Sequence, residues 1–244
     1  MKRSTLQPRL VALVTLCLTC VCLLSLSSGT GWAKVDTIKE LSTPTPASHP
    51  FDITPGPHGK MWFTEEDTNK IGRITPGGAI TEFPIPTSDT HPLDITLGPD
   101  GNLWFTERLG NNIGRITPSG VVTEFPIPTI FSVPVSITTG PDGNLWFAEN
   151  FGNKIGRITT KGKITEFPVP TSTSESNWII TGPDGNLWFT EFNGNKIGRI
   201  TTKGKITEFP VPTSASGPQG IVSGNDNKVW FAESNVSNLA EITT

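Results

Sequence analysis

Gly140-Pro-Asp-Gly-Asn-Leu-Trp-Phe-Ala-Glu149, then Gly152-Asn-Lys-Ile-Gly-Arg-Ile-Thr159 and Ile164-Thr-Glu-Phe-Pro-Val-Pro170, is the phrase that decides the fold, because it recurs along the chain. Its tryptophan returns as Trp62, Trp104, Trp146, Trp188 and Trp230, each 42 residues from the last. Runs of β-branched and aromatic residues alternate with Gly, Pro, Asn and Asp clusters, so each unit reads as four short strands. In the first unit these strands are expected at Phe51–Thr54, Lys60–Glu65, Lys70–Thr75 and Ala79–Ile85. They are separated by Pro55-Gly56-Pro57-His58-Gly59, Glu66–Asn69 and Pro76-Gly77-Gly78. No stretch after the first residues carries helical spacing of apolar side chains. A four-stranded unit repeated every 40–45 residues is the period of a propeller blade. The expectation is an all-β, five-bladed β-propeller of four-stranded antiparallel blades.

Counting suggests how such a ring would close. Val35–Thr244 is five periods long, and the last unit stops after its third strand, near Leu239–Thr243. Ile38-Lys39-Glu40-Leu41 lies one period before Ile80-Thr81-Glu82-Phe83 and matches its register. A strand at 38–41 would complete the fifth blade and remove both unpaired sheet edges.

Residues 1–33 read differently. Lys2, Arg3 and Arg9 precede an almost continuous apolar run from Leu10 to Leu26, and Gly31-Trp32-Ala33 ends in small residues. That is the layout of a secretory signal peptide, with retention as an anchor the alternative. The domains expected are thus 1–33 as signal and 34–244 as one propeller of 42-residue repeats, secreted or extracytoplasmic, monomeric and off the membrane after cleavage. Cys17, Cys20 and Cys22 all fall in the signal, so the remainder has no thiol for a disulfide or a cysteine-held metal. After residue 33, 16 Lys and Arg face 22 Asp and Glu, a formal charge of −6 with no basic run, which excludes a phosphate-tracking nucleic-acid binder.

Repetition also sorts structural residues from functional ones. Five equivalent Trp-Phe pairs read as inter-blade packing rather than sugar-stacking platforms. Gly140–Ser172 and Gly182–Ser214 differ only at Ala148/Thr190, Asn150/Phe192 and Phe151/Asn193. A catalytic blade must differ from its neighbours, so this near-identity points to a scaffold.

The phrases Gly-Pro-Asp-Gly-Asn-Leu-Trp-Phe-Thr-Glu, Asn-Lys-Ile-Gly-Arg-Ile and Ile-Thr-Glu-Phe-Pro resemble those of the streptogramin lyase (virginiamycin B lyase-like) family over nearly the whole chain after the signal. The resemblance implies kinship with seven-bladed propellers that open a cyclic depsipeptide by magnesium-assisted elimination, a carbon–oxygen lyase reaction linked to antibiotic resistance. It implies a His as general base and carboxylates that hold the metal. The slots matching that His are Phe51, Leu93, Val135, Asn177 and Gln219, none of which accepts a proton near neutral pH. The family's metal-binding Glu matches Glu65, Glu107, Glu149, Glu191 and Glu233; five copies point to a structural contact with the Arg73-type position instead.

The slot that holds a Glu in the family's active blade reads His49, His91, Val133, Glu175 and Gly217. His49, His91 and Glu175 form a candidate divalent-metal set, such as for Mg, at one channel mouth, with Asp52, Asp94 and Trp178 as adjoining binding surface. The bland alternative is that the two histidines are solvated loop residues, as His58 is. Three functions follow. The favoured one is a non-catalytic extracytoplasmic scaffold that binds a small molecule, peptide or protein on one face. The alternatives are a metal-dependent streptogramin lyase and another metal-dependent enzyme of lactonase or glycosidase type.

Overall fold

The computed structural model describes residues 38–244. The expected signal at 1–33 lies outside the described residues. Ile38–Leu41 form no strand and are exposed, so the expected closing strand is not formed there. Everything that follows concerns Ser42–Thr244.

Five antiparallel sheets follow one another. The first holds β1 (Pro50–Pro55), β2 (Met61–Glu65), β3 (Lys70–Ile74) and β4 (Ile80–Pro84). The second holds β5 (Pro92–Leu97), β6 (Leu103–Glu107), β7 (Asn112–Ile116) and β8 (Val122–Pro126). The third holds β9 (Pro134–Thr139), β10 (Leu145–Glu149), β11 (Lys154–Ile158) and β12 (Ile164–Pro168). The fourth holds β13 (Ser176–Thr181), β14 (Leu187–Glu191), β15 (Lys196–Ile200) and β16 (Ile206–Pro210). The fifth has three strands, β17 (Pro218–Ser223), β18 (Lys228–Glu233) and β19 (Asn238–Thr243). One 3-10 turn, Pro57–Gly59, is the single helical element among the described residues.

Apolar residues face both sides of each sheet, so a sheet alone cannot bury them, and the core lies between sheets. At the first junction Trp62, Ile71 and Ile85 of one sheet pack on Ile95, Leu103, Phe105 and Ile116 of the next. The same set, one period on, builds the second junction from Trp104 against Leu145 and Phe147, the third from Trp146 against Leu187 and Phe189, and the fourth from Trp188 against Val229 and Phe231. Each indole also stacks on a phenyl ring of its own sheet, as Trp62 does on Phe83 at 5.7 Å, with the Arg73 guanidinium over both rings. The register explains this: Trp62 lies opposite Arg73, whereas Glu65 lies opposite Lys70. Arg73 therefore does not contact Glu65. Its Nη1 reaches the carbonyl of Pro118 in the following sheet, at 2.9 Å.

Two other parts of the repeat serve the tryptophan and its neighbour. In the first four sheets Gly72, Gly114, Gly156 and Gly198 lie under a phenylalanine ring, where a Cβ at Gly72 would meet Phe63 at 2.0 Å; the fifth sheet has Ala240 at this place. The turn aspartate accepts the indole N–H, with Trp104 Nε1 donating to Asp100 Oδ1 at 3.0 Å. In the first sheet His58 replaces that aspartate, at a φ of 60°, and Trp62 Nε1 is left without a partner.

The ends of the array differ from its interior. Ile53 is 54% exposed, whereas its equivalent Ile95 is 2% exposed. Trp230 is 39% exposed, whereas the other four repeat tryptophans are fully buried. The last sheet also carries Glu241 in the arginine slot, and Lys228 takes the place of the cation over Trp230.

Two stability predictions follow from this asymmetry. Trp146→Ala should cost about 3–5 kcal/mol in urea unfolding, and Trp230→Ala distinctly less, because only the first leaves a closed cavity. His58→Asp should add about 1 kcal/mol by supplying the missing acceptor for Trp62. Equal losses for the two tryptophans, or a destabilised His58→Asp protein, would contradict this account of the junctions.

Candidate functional site

Each of the five innermost strands breaks register with its neighbour at its start, as β1 does between Pro50 and Ile53. Such a bulge re-aims side chains away from the ladder. The residues so turned, Phe51, Leu93, Val135, Asn177 and Gln219, line one pocket of about 270 Å³ together with Ser136 and Trp178. One residue from every sheet thus meets around a common axis, and these are the slots that the family resemblance assigns to a catalytic histidine. The pocket has an apolar half (Phe51, Leu93, Val135), an amide half (Asn177, Gln219) and the 40%-exposed indole of Trp178. Asn177 is oriented by Asn150, whose Nδ2 donates to its Oδ1 at 2.6 Å.

Asp52 and Asp94, expected beside this surface, turn instead to the next sheet. Asp52 Oδ2 accepts the backbone N–H of Ile95 at 3.0 Å, and Asp94 Oδ2 that of Ile137 at 2.8 Å. Ser136 Oγ does the same for Ile179 at 3.3 Å. Trp178 holds the equivalent position in the fourth sheet, cannot accept such a bond, and stands at the mouth. Burial, reinforced by the neighbouring Asp52 carboxyl, pushes Asp94 up to about 7.

His49, His91, Val133, Glu175 and Gly217 all adopt left-handed backbone, with φ between 45° and 59°. Their carbonyls accept the first N–H of the turn after the second strand, as His49 O does from Glu66 at 3.1 Å and Glu175 O from Phe192 at 3.1 Å. The slot is therefore a loop corner set by backbone geometry. His49 Nδ1 lies 2.5 Å from Asp67, and His91 lies 3.7 Å from Glu66 and 3.3 Å from Asp89. Among the described residues no three His, Cys, Asp or Glu side chains cluster closely enough to hold a metal ion, and His49, His91 and Glu175 are not brought together as such a set.

Glu65, Glu107, Glu149, Glu191 and Glu233 are buried at the ends of their strands, one in each sheet. Each of the first four sits behind a second carboxylate on the outer strand. Glu82 receives Thr45 N at 2.8 Å and Lys70 Nζ at 2.7 Å. Burial works against its charge, but these bonds hold Glu82 below the usual carboxylate range, and Glu166 and Glu208 likewise. The inner member behaves oppositely. Burial, with the adjacent Glu124, Glu166 or Glu208 carboxyl adding to it, pushes Glu107, Glu149 and Glu191 up to about 8. The protonated form of these three glutamates is thus favoured well above the usual carboxylate range.

The same face carries a second feature that the repeat reading missed. Between the second and third sheets, Arg108, Leu109, Asn111, Ile130, Phe131 and Val133 line an open groove of about 380 Å³. Ile130 and Phe131 are highly exposed. The signal was present in the sequence, since the other connecting loops read Ser88-Asp89, Ser172-Thr173 and Ser214-Ala215 at this place.

With this geometry in view, the comparisons with known proteins agree among themselves. The Virginiamycin B lyase family model matches residues 32–242. Virginiamycin B lyase from Staphylococcus aureus is 47% identical, with a TM-score of 0.83 over 85% of this chain and 71% of its own. A catalytically inactive form of the enzyme from the same organism, solved with quinupristin, is 45% identical, with a TM-score of 0.83 over 87% of this chain and 72% of its own. Virginiamycin B lyase of Saccharopolyspora erythraea is 46% identical over 44 residues, a match that spans 18% of this chain and only 15% of that relative.

The buried glutamates make stability depend on pH in a stated direction. Between about pH 4.5 and 8 the unfolded chain releases these protons while the folded protein keeps them, so the folded state binds more protons and loses stability as pH rises. The melting temperature should fall steadily from pH 5 to 8, and the triple variant Glu107→Gln, Glu149→Gln, Glu191→Gln should flatten that slope. A wild-type melting temperature that rises over this range would refute the assignment.

Proposed function

The chain belongs to the virginiamycin B lyase family, and from that premise we propose that it is an extracytoplasmic scaffold that binds an apolar cyclic peptide at the mouth of its inner strands without opening it. The observation that carries this reading is the make-up of the mouth. All five slots for a catalytic base meet in one pocket, and their occupants, Phe51, Leu93, Val135, Asn177 and Gln219, have no group that titrates near neutral pH. Elimination requires removal of a carbon-bound proton, and no side chain lining the pocket can take it.

Binding, by contrast, is well provided for. Trp178 offers a flat aromatic face, Phe51, Leu93 and Val135 an apolar floor, and the two amides hydrogen bonds to peptide carbonyl and N–H groups. Quinupristin, with which a relative was solved, supplies a probe of this chemical class. The layout of residues 1–33 supports placement outside the cytoplasm.

A lyase reading would have to draw its base from His49 or His91, the imidazoles at the loop corners of the same face. His49 is held by Asp67, and His91 is flanked by Glu66 and Asp89, so each histidine already has acidic neighbours within its own loop surroundings.

Titration of the full chain with quinupristin should change the protein's tryptophan emission saturably, and Trp178→Ala should weaken binding roughly tenfold. Elimination leaves the mass unchanged, so turnover is read as a chromatographically distinct linear isomer, with magnesium present. Linear product that accumulates in proportion to the protein would overturn the proposal, and its loss in His49→Ala or His91→Ala would identify the base.

A further inference from the structure

We propose that the second sheet binds one monovalent cation of ammonium size, such as potassium, between Thr87 and Glu124, at the place where three other sheets put a lysine ammonium. This inference does not depend on the ligand reading above.

The repeat supplies the template. In the first sheet Lys70 Nζ donates to Thr45 Oγ1 at 2.5 Å and to Glu82 Oε2 at 2.7 Å. In the fourth, Lys196 Nζ makes the same two bonds, to Thr171 Oγ1 at 2.5 Å and to Glu208 Oε2 at 2.7 Å. In the third, Lys154 donates to Thr129 and Glu166. Each ammonium ties the segment leading into a sheet to the outer strand of that sheet, and its charge answers the carboxylate there.

The second sheet keeps the threonine and the carboxylate, as Thr87 and Glu124, but has Asn112 in place of the lysine. The shorter amide turns inward, where Asn112 Nδ2 donates to Glu107 Oε2 at 3.0 Å. Thr87 N still donates to Glu124 Oε1, at 3.1 Å, so the segment and the outer strand keep their places. Among the described residues no lysine, arginine or histidine pairs with Glu124, whereas Glu82, Glu166 and Glu208 each have a lysine. On the inner side Glu107, whose carboxyl adjoins that of Glu124, is fully buried, and its Oε1 has no hydrogen-bond partner. A half-buried carboxylate beside an unpartnered buried oxygen costs free energy that a bound cation removes.

The class of ion follows from these donors, Thr87 Oγ1, Glu124 Oε2 and Glu107 Oε1. One unanswered carboxylate takes the place of one ion pair, so a single positive charge balances the site. Two carboxyls without a third acidic or histidine ligand fall short of the oxygen-rich cage that calcium takes. The lysine nitrogens stand 2.5–2.7 Å from their oxygens in the first and fourth sheets, farther than the about 2.0–2.1 Å that magnesium demands.

The test dialyses the full chain in tetramethylammonium chloride against radioactive rubidium, a probe of potassium size. One ion per chain should be retained. Asn112→Lys installs the residue of the three other sheets and should abolish retention, and Glu124→Gln should weaken it at least tenfold. Lys154→Asn should raise the number retained from one to two. In potassium chloride the wild type should melt about 2–4 °C higher than in tetramethylammonium chloride of equal concentration, with Asn112→Lys unmoved. Retention that persists in Asn112→Lys would put the ion elsewhere, and no retention by the wild type would leave the site to water; either overturns the proposal. Displacement of rubidium by an equal concentration of magnesium overturns it too, as does a folded Lys154→Asn protein that still retains one ion. Asn112→Lys decides the matter even if Lys154→Asn does not fold.

Discussion

A four-stranded sheet with apolar side chains on both faces cannot hide them by itself, and that single constraint organises this protein. The answer repeated along the chain is an indole wedged into the neighbouring sheet, backed by a phenyl ring and covered by a guanidinium. Most of the repeat serves that wedge. Glycine at the Gly56 position leaves room for the Trp62 ring, glycine at the Gly72 position leaves room for Phe63, and in the second to fourth sheets the turn aspartate accepts the indole N–H. Arginine closes the stack from above and reaches into the following sheet. The mouth at the axis exists because these wedges set the spacing of the inner strands.

How much of this was legible in the sequence depended on how local the governing physics is. Strand limits in the first unit lie within about a residue of those expected, since alternation and turn residues act over a few positions. The closing strand at 38–41 shares the register of β4, but pairing is non-local, and matching phase does not bring a segment to a sheet. Arginine was expected beside the strand-end glutamate. Antiparallel register places it opposite tryptophan instead, a relation that counting from the turn would have revealed. The raised proton affinity of Glu107, Glu149 and Glu191 depends on burial, which no spacing supplies.

The candidate site divides in the same way. The positions that face the axis could be named from the repeat, and a bulge in every inner strand turns them there. The distinction between Asp52 or Asp94 and Trp178 could not, because it depends on whether a side chain can accept a backbone N–H from the next sheet. Equivalent positions consequently do unlike things: two carboxylates stitch sheets together, and one indole is released to the mouth. His49 and His91 illustrate the limit of position as an argument, since a left-handed corner fixes their backbone while their rings find separate acidic neighbours.

The near-identity of the third and fourth units has a consequence at the level of heredity. Gly140–Ser172 and Gly182–Ser214 differ at three positions, and the junctions on either side use the same packing set. Two such stretches in one gene are substrates for unequal crossing-over, which deletes or duplicates whole periods. Because the period of the sequence equals the period of the packing, each product of that error would join one intact sheet to another. Copy number is then a trait that a lineage can vary in single steps, without passing through a broken fold.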